Sequence, residues 1–359
     1  MDSHGKATAR RIGKATLVAR VNGRKFKCKV TVTKRLNIKK SKNLSVLFIG
    51  NSITRRNRMH YGVPEALDSI AKANGRAIEI DRITHGSARL AYYCKSGKKY
   101  GAEYGEYYSE LVSKLKEKQW DYIVLQEHAR YSVSDVYNMN DAVAALKDTI
   151  NYYQPDSKIL LYMTHGFYDG KKTMINGVKK RYKKEIFKQY VDMAYTYVGN
   201  MNDLAIVPMG EVYYRVENKY PEIDMYIKDN KHPTHEGYYL IASLFYKEIY
   251  GQAPSVPAYD IASLVSVDVQ KKFMSEIVGE LAFKKDFYQK KVGSKFKIKA
   301  TNEKLKTNSK VAYKSMDENI AKVTLDGNVE LVGVGMTGII ATNAEGYQDI
   351  CVVISMDAD

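Results

Sequence analysis

Two short motifs in this sequence hold residue types that can carry out acyl transfer together. Ser52 follows an apolar run in LSVLFIGNSIT, and the motif DNKHP places Asp229 three residues before His232. A serine hydroxyl is a poor nucleophile until a base takes its proton, and histidine suits that task near neutral pH. An aspartate nearby can turn back within its loop and hold the imidazole in the required tautomer. If the fold joins the two motifs, the chain carries the groups of a nucleophilic hydrolase.

The residues before Ser52 predict how the fold presents it. Val46–Ile49 is short and partly β-branched, which is typical of a buried strand. We expect Gly50 to permit a sharp exit, because glycine tolerates backbone angles that a side chain forbids. Open α/β sheets bind their ligands at the carboxyl ends of parallel strands, so Ser52 has a suitable position. The alternative is that Ser52 only caps the next helix and that DxxH is an ordinary surface loop.

Strands and helices alternate from residue 44 to residue 250, which predicts a parallel sheet covered by helices, a three-layer α/β/α fold. After the first strand, the predicted strands are Ala77–Ile83, Trp120–Gln126, Lys158–Thr164 and Leu204–Pro208. The predicted helices are Val63–Asn74, Tyr104–Glu117, Asn138–Tyr153, Gly177–Gly199, Glu236–Tyr250 and Asp260–Phe283. In such a doubly wound sheet, the loops that hold Ser52 and His232 can meet at one edge.

The sequence Gly50-Asn51-Ser52, together with the motif from Asp229 through Pro233, resembles the first and last sequence blocks of the SGNH (GDSL-like) hydrolases. The resemblance covers about residues 44–251, and it implies a flavodoxin-like parallel sheet. It also implies that Ser52 is the nucleophile, that His232 is the general base and that Asp229 orients the base.

The same resemblance implies an oxyanion hole with three donors. Two of them are backbone N–H groups, from Ser52 and from Gly86 in ITHGSAR, which matches the second block of the family. The third block of the family supplies an asparagine from Gly-x-Asn-Asp, but here the third strand ends in LQEHAR. Gln126 stands near that place and carries the same amide one methylene further out. The alternative is that Gln126 only fixes the loop that follows it.

Four further histidines are expected near the same edge of the sheet. His85, His128 and His165 each follow a predicted strand, and His235 lies close to His232. Hydrolytic zinc sites use such clusters, but the sequence has no HExxH motif and the serine motif already accounts for His232. We therefore expect no metal and no other cofactor. We interpret these histidines as polar walls of a pocket that contacts a hydroxylated substrate.

The regions outside the α/β stretch have the strand-and-turn pattern of small β domains. Residues 290–356 resemble the bacterial immunoglobulin-like domains of group 2, and the residues that carry this resemblance include Val311–Ser315, Ile320–Val323, Ile339–Ala341 and Cys351–Ile354. Residues 1–34 resemble the last strands of a truncated second copy, in which Asn22-Gly23 predicts a hairpin turn. The hydrolase domain is predicted to span residues 44–284.

The charge and cysteine content of the chain indicate which kinds of binding partner to expect. The chain has 57 Lys and Arg against 40 Asp and Glu, a formal net charge of +17. The lysines are spread over all regions without an RNA-binding signature or zinc-finger spacing, so we expect no nucleic-acid partner. A basic surface can instead attract an anionic cell-wall polymer. Three cysteines without a CxxC pair argue against a disulfide framework, and no apolar stretch is long enough to span a membrane.

These observations predict a serine esterase whose substrate is an acylated carbohydrate or another small ester, and we expect it to remove O-acetyl groups. Ester hydrolysis follows from the serine, histidine and aspartate motifs. The expectation of a carbohydrate substrate comes from the range of substrates known for the family. The expectation of a secreted or cell-surface location comes from the immunoglobulin-like modules, although no signal peptide is visible in this sequence. The alternative is a non-catalytic cell-surface protein whose α/β domain binds glycan.

Overall fold

The computed structural model describes most of the chain, in two units. It covers residues 13–21, 24–32, 43–56, 60–95, 105–167 and 170–357, apart from 304, 306 and 308. Contacts divide the chain into Met1–Lys39 and Lys40–Asp359. In the first unit, β1 (Gly13–Val21) pairs antiparallel with β2 (Arg24–Val32), so the predicted hairpin is present. Its turn, Asn22-Gly23, lies outside the described residues, and its likeness to an immunoglobulin-like domain stays a prediction.

The second unit alternates strands and helices up to residue 250 and then continues as short strands. Its strands are β3 (Leu44–Gly50), β4 (Ile78–Thr84), β5 (Tyr122–Leu125), β6 (Lys158–Met163), β7 (Thr173–Ile175), β8 (Val178–Lys180), β9 (Ala205–Pro208), β10 (Glu280–Phe283), β11 (Phe287–Lys291), β12 (Lys295–Lys297), β13 (Ala300–Glu303), β14 (Val311–Ser315), β15 (Ala321–Val323), β16 (Asn328–Leu331), β17 (Gly335–Asn343) and β18 (Gln348–Met356). Its α-helices are α1 (Val63–Ala73), α2 (Tyr108–Glu117), α3 (Ala129–Ser134), α4 (Val136–Tyr153), α5 (Lys184–Asn202), α6 (Met209–Lys219), α7 (His235–Tyr250) and α8 (Val267–Glu276). Among the helices that the structure describes, none has the length and hydropathy of a membrane span.

Five parallel strands form the centre of this unit, in the order β4-β3-β5-β6-β9. That order is the flavodoxin-like arrangement. The strand β3 is buried on both faces, because Val46 and Phe48 belong to one apolar core, with α1, α6, α7 and α8. Its alternate residues Leu47 and Ile49 belong to the other core, with α2, α4 and α5. The predicted three-layer α/β/α sheet is confirmed, and the loops after β3 and β5 begin side by side at its carboxyl edge.

The segment predicted as one helix, Gly177–Gly199, begins instead within a β-hairpin. The strands β7 and β8 pair antiparallel across Asn176 and Gly177, whose φ angles are 48° and 76°. Positive φ at both central residues is the signature of a type I′ turn, for which Asn-Gly is strongly preferred. The helix α5 therefore begins only at Lys184, and the Asn-Gly pair was the sequence signal for this turn.

The segment predicted as the helix Asp260–Phe283 divides into a helix and a strand. Ser266 caps α8 by accepting a hydrogen bond from the Val269 N–H at 3.4 Å. The end of the segment forms β10, which pairs antiparallel with β13. A serine ahead of an apolar helical pattern is a start signal, so Ser266 marked the true beginning of the helix. The helix α6, which directly follows β9, was missing from the prediction.

Apart from β13, which pairs with β10, the strands after residue 284 form two small sheets with a common core. Their orders are β11-β18-β17-β14 and β12-β16-β15, and one apolar cluster contains residues of both sheets. Ile340, Ile350 and Val352 belong instead to an apolar core of the α/β part, where β18 packs against α5. The antiparallel strands predicted at the C-terminus are present. Their immunoglobulin-like identity and the predicted domain limits stay predictions, and the two parts share an apolar contact.

Candidate active site

Ser52, His232 and Asp229 form a continuous hydrogen-bonded chain at the carboxyl edge of the sheet. The Ser52 Oγ lies 2.8 Å from the His232 Nε2, and the His232 Nδ1 lies 2.6 Å from the Asp229 Oδ2. Ser52 follows β3, whereas the other two residues precede α7, so the fold joins groups that are 180 residues apart. In this geometry the histidine can take a proton from the serine while the aspartate holds the imidazole.

The loop before α7 is shaped so that the Asp229 carboxylate faces back toward His232. Asn230 has a φ of 52°, a left-handed conformation that asparagine adopts more readily than most residues. The Asp229 Oδ1 accepts hydrogen bonds from the N–H groups of Lys231 and His232, at 3.0 and 2.9 Å. Thr234 then caps the N-terminus of α7. These backbone contacts leave the second carboxylate oxygen of Asp229 for the imidazole.

The surroundings favour a neutral His232 beside an ionised Asp229. Partial burial lowers the pKa of His232 and outweighs the hydrogen bond to Asp229, which acts in the opposite direction. Burial by itself would raise the pKa of Asp229, but hydrogen bonds from the backbone and ring of His232 outweigh it and hold that pKa below its ordinary value. The neutral ring can then accept the Ser52 proton at Nε2 while its Nδ1–H donates to Asp229.

We expect the activity to fall on the acid side only below pH 6.5. A general base acts in its neutral form, so kcat/KM decreases as the pH drops through the pKa of His232, which is held below its ordinary value of 6.5. The measurement is a profile of kcat/KM against pH with an uncharged ester, so that the substrate does not titrate. An acid midpoint above 6.5 would show that the environment described for His232 is incorrect.

Gly50 is required at the end of β3 because of a close approach, and not because of an unusual backbone angle. A Cβ at this position would lie 2.6 Å from the Gln126 Oε1 and 2.9 Å from the Gln126 Cβ. The φ of Gly50 is outside the left-handed region. The expectation that Gly50 adopts an angle forbidden to other residues is therefore wrong. The space that a side chain would need is already taken by Gln126.

Gln126 is fully buried, and its amide holds the turn that carries Ser52. Its Oε1 accepts hydrogen bonds from the Asn51 N–H at 2.9 Å and from the Thr54 hydroxyl at 3.2 Å. Its Nε2 donates to the carbonyl of Glu127. The oxyanion role of Gln126 stays a prediction, whereas these contacts show that the side chain positions the turn that holds Ser52.

Replacing Gln126 with Leu should lower both the melting temperature and kcat. Leucine keeps much of the volume but leaves the buried Asn51 N–H and Thr54 hydroxyl without their acceptor, which costs about 1–3 kcal/mol for each group. The displaced Ser52 turn should lower kcat by ~10–100-fold. Thermal melting by circular dichroism and steady-state kinetics measure the two effects. If Gln126 served only as a donor to the oxyanion, the variant would have a lower kcat but an unchanged melting temperature. A variant with the wild-type kcat and the wild-type melting temperature would exclude both the oxyanion role and the positioning role.

The loop that holds Gly86 is joined to the same turn by the side chain of Asn51. The Asn51 Nδ2 donates to the Ala88 carbonyl at 2.9 Å, and its Oδ1 accepts from the Ile53 N–H at 3.1 Å. Gly86 itself is exposed, and a Cβ built on it would have no neighbour within 4 Å beyond its adjoining residues. Gly86 therefore borders open space near the Ser52 turn, and its N–H as an oxyanion donor stays a prediction.

Several solved structures resemble the fold of this chain. A DUF4886 family protein from Bacteroides uniformis matches with a TM-score of 0.50 and 16% identity, over 65% of this chain and 93% of that chain. The lipase/acylhydrolase from Enterococcus faecalis matches with a TM-score of 0.39 and 17% identity, over 60% and 100%. The psychrotrophic esterase EstA from Pseudoalteromonas sp. matches with a TM-score of 0.41 and 13% identity, over 58% and 97%.

The matched structures include SGNH/GDSL-like hydrolases. At these identities the likeness concerns the fold alone. No protein-family profile matches this sequence, and no curated protein matches it. The roles of the individual site residues therefore rest on the geometry of this chain.

Two of the remaining histidines have partners of their own at the edge of the fold. His85 stacks on Tyr107, and its Nε2 lies 2.7 Å from a Glu110 carboxylate oxygen. His235 packs edge-on against Tyr61. Within the part of the chain that the structure describes, no group of three His, Cys, Asp or Glu side chains could hold a metal ion. The zinc alternative thus has no candidate site among these residues.

The other two histidines both contact Lys231, inside the loop that carries Asp229 and His232. The His165 Nε2 donates to the Lys231 carbonyl at 2.8 Å, and the His128 Nε2 lies 3.5 Å from the Lys231 Nζ. Burial lowers the pKa of both imidazoles to about 4, so both rings are neutral at pH 7. His165 thereby positions the backbone next to His232. Contact of these histidines with a hydroxylated substrate stays a prediction.

Glu127 is a residue that sequence reasoning missed. Its carboxyl group is buried, and burial raises its pKa to about 7. It accepts hydrogen bonds from the N–H groups of Leu90 at 3.2 Å and His128 at 2.6 Å, so it joins the loops that follow β4 and β5. The available signal was an acidic residue placed directly after a buried strand in LQEHAR.

Proposed function

We propose that the protein is a serine esterase that uses Ser52, His232 and Asp229. The observation that carries this proposal is the unbroken chain of hydrogen bonds from the Ser52 hydroxyl, through both nitrogens of His232, to the Asp229 carboxylate. A serine in such a chain can lose its proton at the moment of attack on an acyl carbon. The neutral state of His232 at pH 7 suits it for this role.

In the proposed reaction, the Ser52 Oγ attacks the acyl carbon while the His232 Nε2 takes the hydroxyl proton. Asp229 stabilises the imidazolium, which then gives its proton to the leaving alcohol oxygen and leaves an acyl-enzyme. Water attacks the acyl carbon with His232 again as base, and the release of the carboxylic acid restores Ser52. The proposed donors to the tetrahedral oxyanion are the N–H groups of Ser52 and Gly86 and the amide of Gln126.

The substrate class that we propose is an acylated carbohydrate, from which the enzyme removes O-acetyl groups. Ser52 is only half-buried, and the Asp229 side chain keeps 40% of its surface exposed. The catalytic chain therefore lies at an open edge of the sheet, which admits a chain of sugars as readily as a small ester. A secreted or cell-surface location and attraction to an anionic cell-wall polymer are part of this proposal, supported by the net charge of +17.

Turnover of p-nitrophenyl acetate tests the proposed activity. We expect hydrolysis that a serine-directed phosphonate abolishes, with the added mass located on the peptide that contains Ser52. Prior treatment with EDTA is the control for a metal-dependent hydrolase, and it should leave the rate unchanged. Absence of both turnover and phosphonate labelling would favour the alternative, a surface protein that binds glycan without hydrolysing it.

A further inference from the structure

A short β-hairpin near the candidate active site concentrates positive charge. Residues 170–184 include seven Lys or Arg and no Asp or Glu. They contain β7, β8 and the first residue of α5, and we call them the basic hairpin. The exposed cations are Lys171, Lys172, Lys179, Lys180, Arg181 and Lys183. The basic hairpin therefore presents a strongly positive surface to the solvent.

The buried side chains of the basic hairpin fix it to the protein and leave its cations outside. Thr173 and Ile175 are buried, whereas Met174 between them is exposed. Lys179 is paired with Met174 across the two strands, and such cross-strand partners share one face of a hairpin. The strand β8 is exposed along its whole length, and β7 is its one partner among the strands that the structure describes.

Protection of a strand edge does not account for all of these cations. Lysine on an edge strand prevents pairing with other chains, which explains a charge on β8. The cations also continue beyond β8, because Arg181 and Lys183 are exposed and lie between the strand and α5. Like charges this close in the chain repel one another, and a bound anion relieves that repulsion. The arrangement thus favours an anionic partner.

The basic hairpin lies at the same edge of the sheet as Ser52. The segment that leads to it from β6 contacts the loop before α7, since the His165 Nε2 donates to the Lys231 carbonyl at 2.8 Å. On another side, the Arg130 guanidinium donates to the Thr173 hydroxyl and so ties β7 to α3, which follows β5. A polymer that lies on the basic hairpin can therefore extend to Ser52.

We propose that the basic hairpin binds an acidic polysaccharide, and that this polymer carries the ester that Ser52 hydrolyses. Carboxylates of the polymer would accept charge-assisted hydrogen bonds from the exposed lysines. The second part rests on the proposed esterase function and narrows its substrate to an acylated acidic polysaccharide. An anionic membrane is a poorer match because membrane binding also scales with buried apolar area. Among the described residues of the basic hairpin, the exposed large apolar side chains are Met174 and Val178.

Calorimetric binding of polygalacturonate tests the charged surface. We expect the wild-type protein to bind this polymer, more weakly at high salt, and not to bind the neutral polymer amylose. The double variant Lys172→Glu with Lys179→Glu should bind polygalacturonate at least ~10-fold more weakly. The control, Lys284→Glu with Lys299→Glu, makes the same change in charge at exposed positions outside the basic hairpin and should keep the wild-type affinity.

Three results of this experiment would overturn the proposal. An equal loss of affinity in the two double variants would show that the net charge alone attracts the polymer. A wild-type protein that does not bind polygalacturonate would remove the acidic polysaccharide as a partner. Binding to phosphatidylglycerol vesicles without binding to polygalacturonate would assign the basic hairpin to a membrane surface.

Kinetics on acetylated polygalacturonate test the link between the basic hairpin and the substrate. The ratio of kcat/KM for this polymer to kcat/KM for p-nitrophenyl acetate should fall at least ~10-fold in the hairpin variant, through a higher KM for the polymer. The control variant should keep the wild-type ratio. The same ratio in the hairpin variant and the wild type, or a bound polymer that is not deacetylated, would contradict this link.

The failure of the esterase and the failure of the basic hairpin can be told apart. A protein that hydrolyses p-nitrophenyl acetate but does not bind polygalacturonate retains the first proposal and loses the second. If no ester is hydrolysed, the calorimetric comparison of the two double variants still tests the binding surface, because it does not depend on turnover.

Discussion

The substitution Ser52→Ala should lower kcat for p-nitrophenyl acetate by ~10³-fold or more without lowering the melting temperature. Alanine removes only the Oγ, which lies 2.8 Å from the His232 Nε2. The turn itself is held by other groups, because Gln126 binds the Asn51 N–H and Tyr238 donates to the Ser52 carbonyl at 3.1 Å. The loss should therefore fall on the chemical step and not on folding.

Steady-state kinetics and circular dichroism of Ser52→Ala measure these two effects. Ser275→Ala is a suitable control, since it removes the same atom from an exposed serine on α8. Labelling by the phosphonate should disappear in the first variant and persist in the second. A kcat near the wild-type value in folded Ser52→Ala would contradict the role of Ser52 as nucleophile.

Asp229→Asn should lower kcat by ~10³–10⁴-fold, because the asparagine would select the wrong tautomer of His232. The Oδ1 at this position accepts hydrogen bonds from the N–H groups of Lys231 and His232, so the amide oxygen of the asparagine takes that place. Its NH₂ group must then face the His232 Nδ1, which becomes the acceptor. The ring proton moves to Nε2, and this nitrogen can no longer accept the Ser52 proton.

The same kinetic assay measures Asp229→Asn, and its melting temperature should stay close to the wild-type value because the backbone contacts of the loop are preserved. Asp224→Asn provides the matched control, since Asp224 is an exposed carboxylate a few residues earlier in the chain. Its kcat should be unchanged. An Asp229→Asn enzyme that loses less than ~10-fold would show that the carboxylate does not set the tautomer.

The alternation of strands and helices was readable from the sequence because local apolar patterns determine it. The buried run at β3 and the glycine after α7 marked real ends of elements, and the sheet is parallel as predicted. Errors arose where a short local signal was outweighed by a longer pattern. At Asn176-Gly177 the chain forms the turn of the β7–β8 hairpin, where a helix was predicted to begin. The helix α8 begins after its cap Ser266, later than the apolar pattern indicated.

The positions of Ser52, Asp229 and His232 followed from motif spacing, because Asp229 reaches His232 within one loop and Ser52 lies at a strand end. Motif spacing did not predict the hydrogen-bond partners of Gln126. The reason for Gly50 proved to be the nearby Gln126 side chain, which belongs to a different strand and comes close only when β3 and β5 pair. Such contacts depend on register between distant segments, which a single sequence does not specify.

The sequence by itself thus determined the order of the elements and the chemical groups that the loops offer, since both depend on neighbours in the chain. Only the tertiary structure decided which groups meet. It directed the Gln126 amide onto the turn that holds Ser52, buried Glu127 between two loops and brought Lys231 close to His128. Each of these contacts joins segments that are far apart in sequence, and strand order and loop path bring them within hydrogen-bond distance.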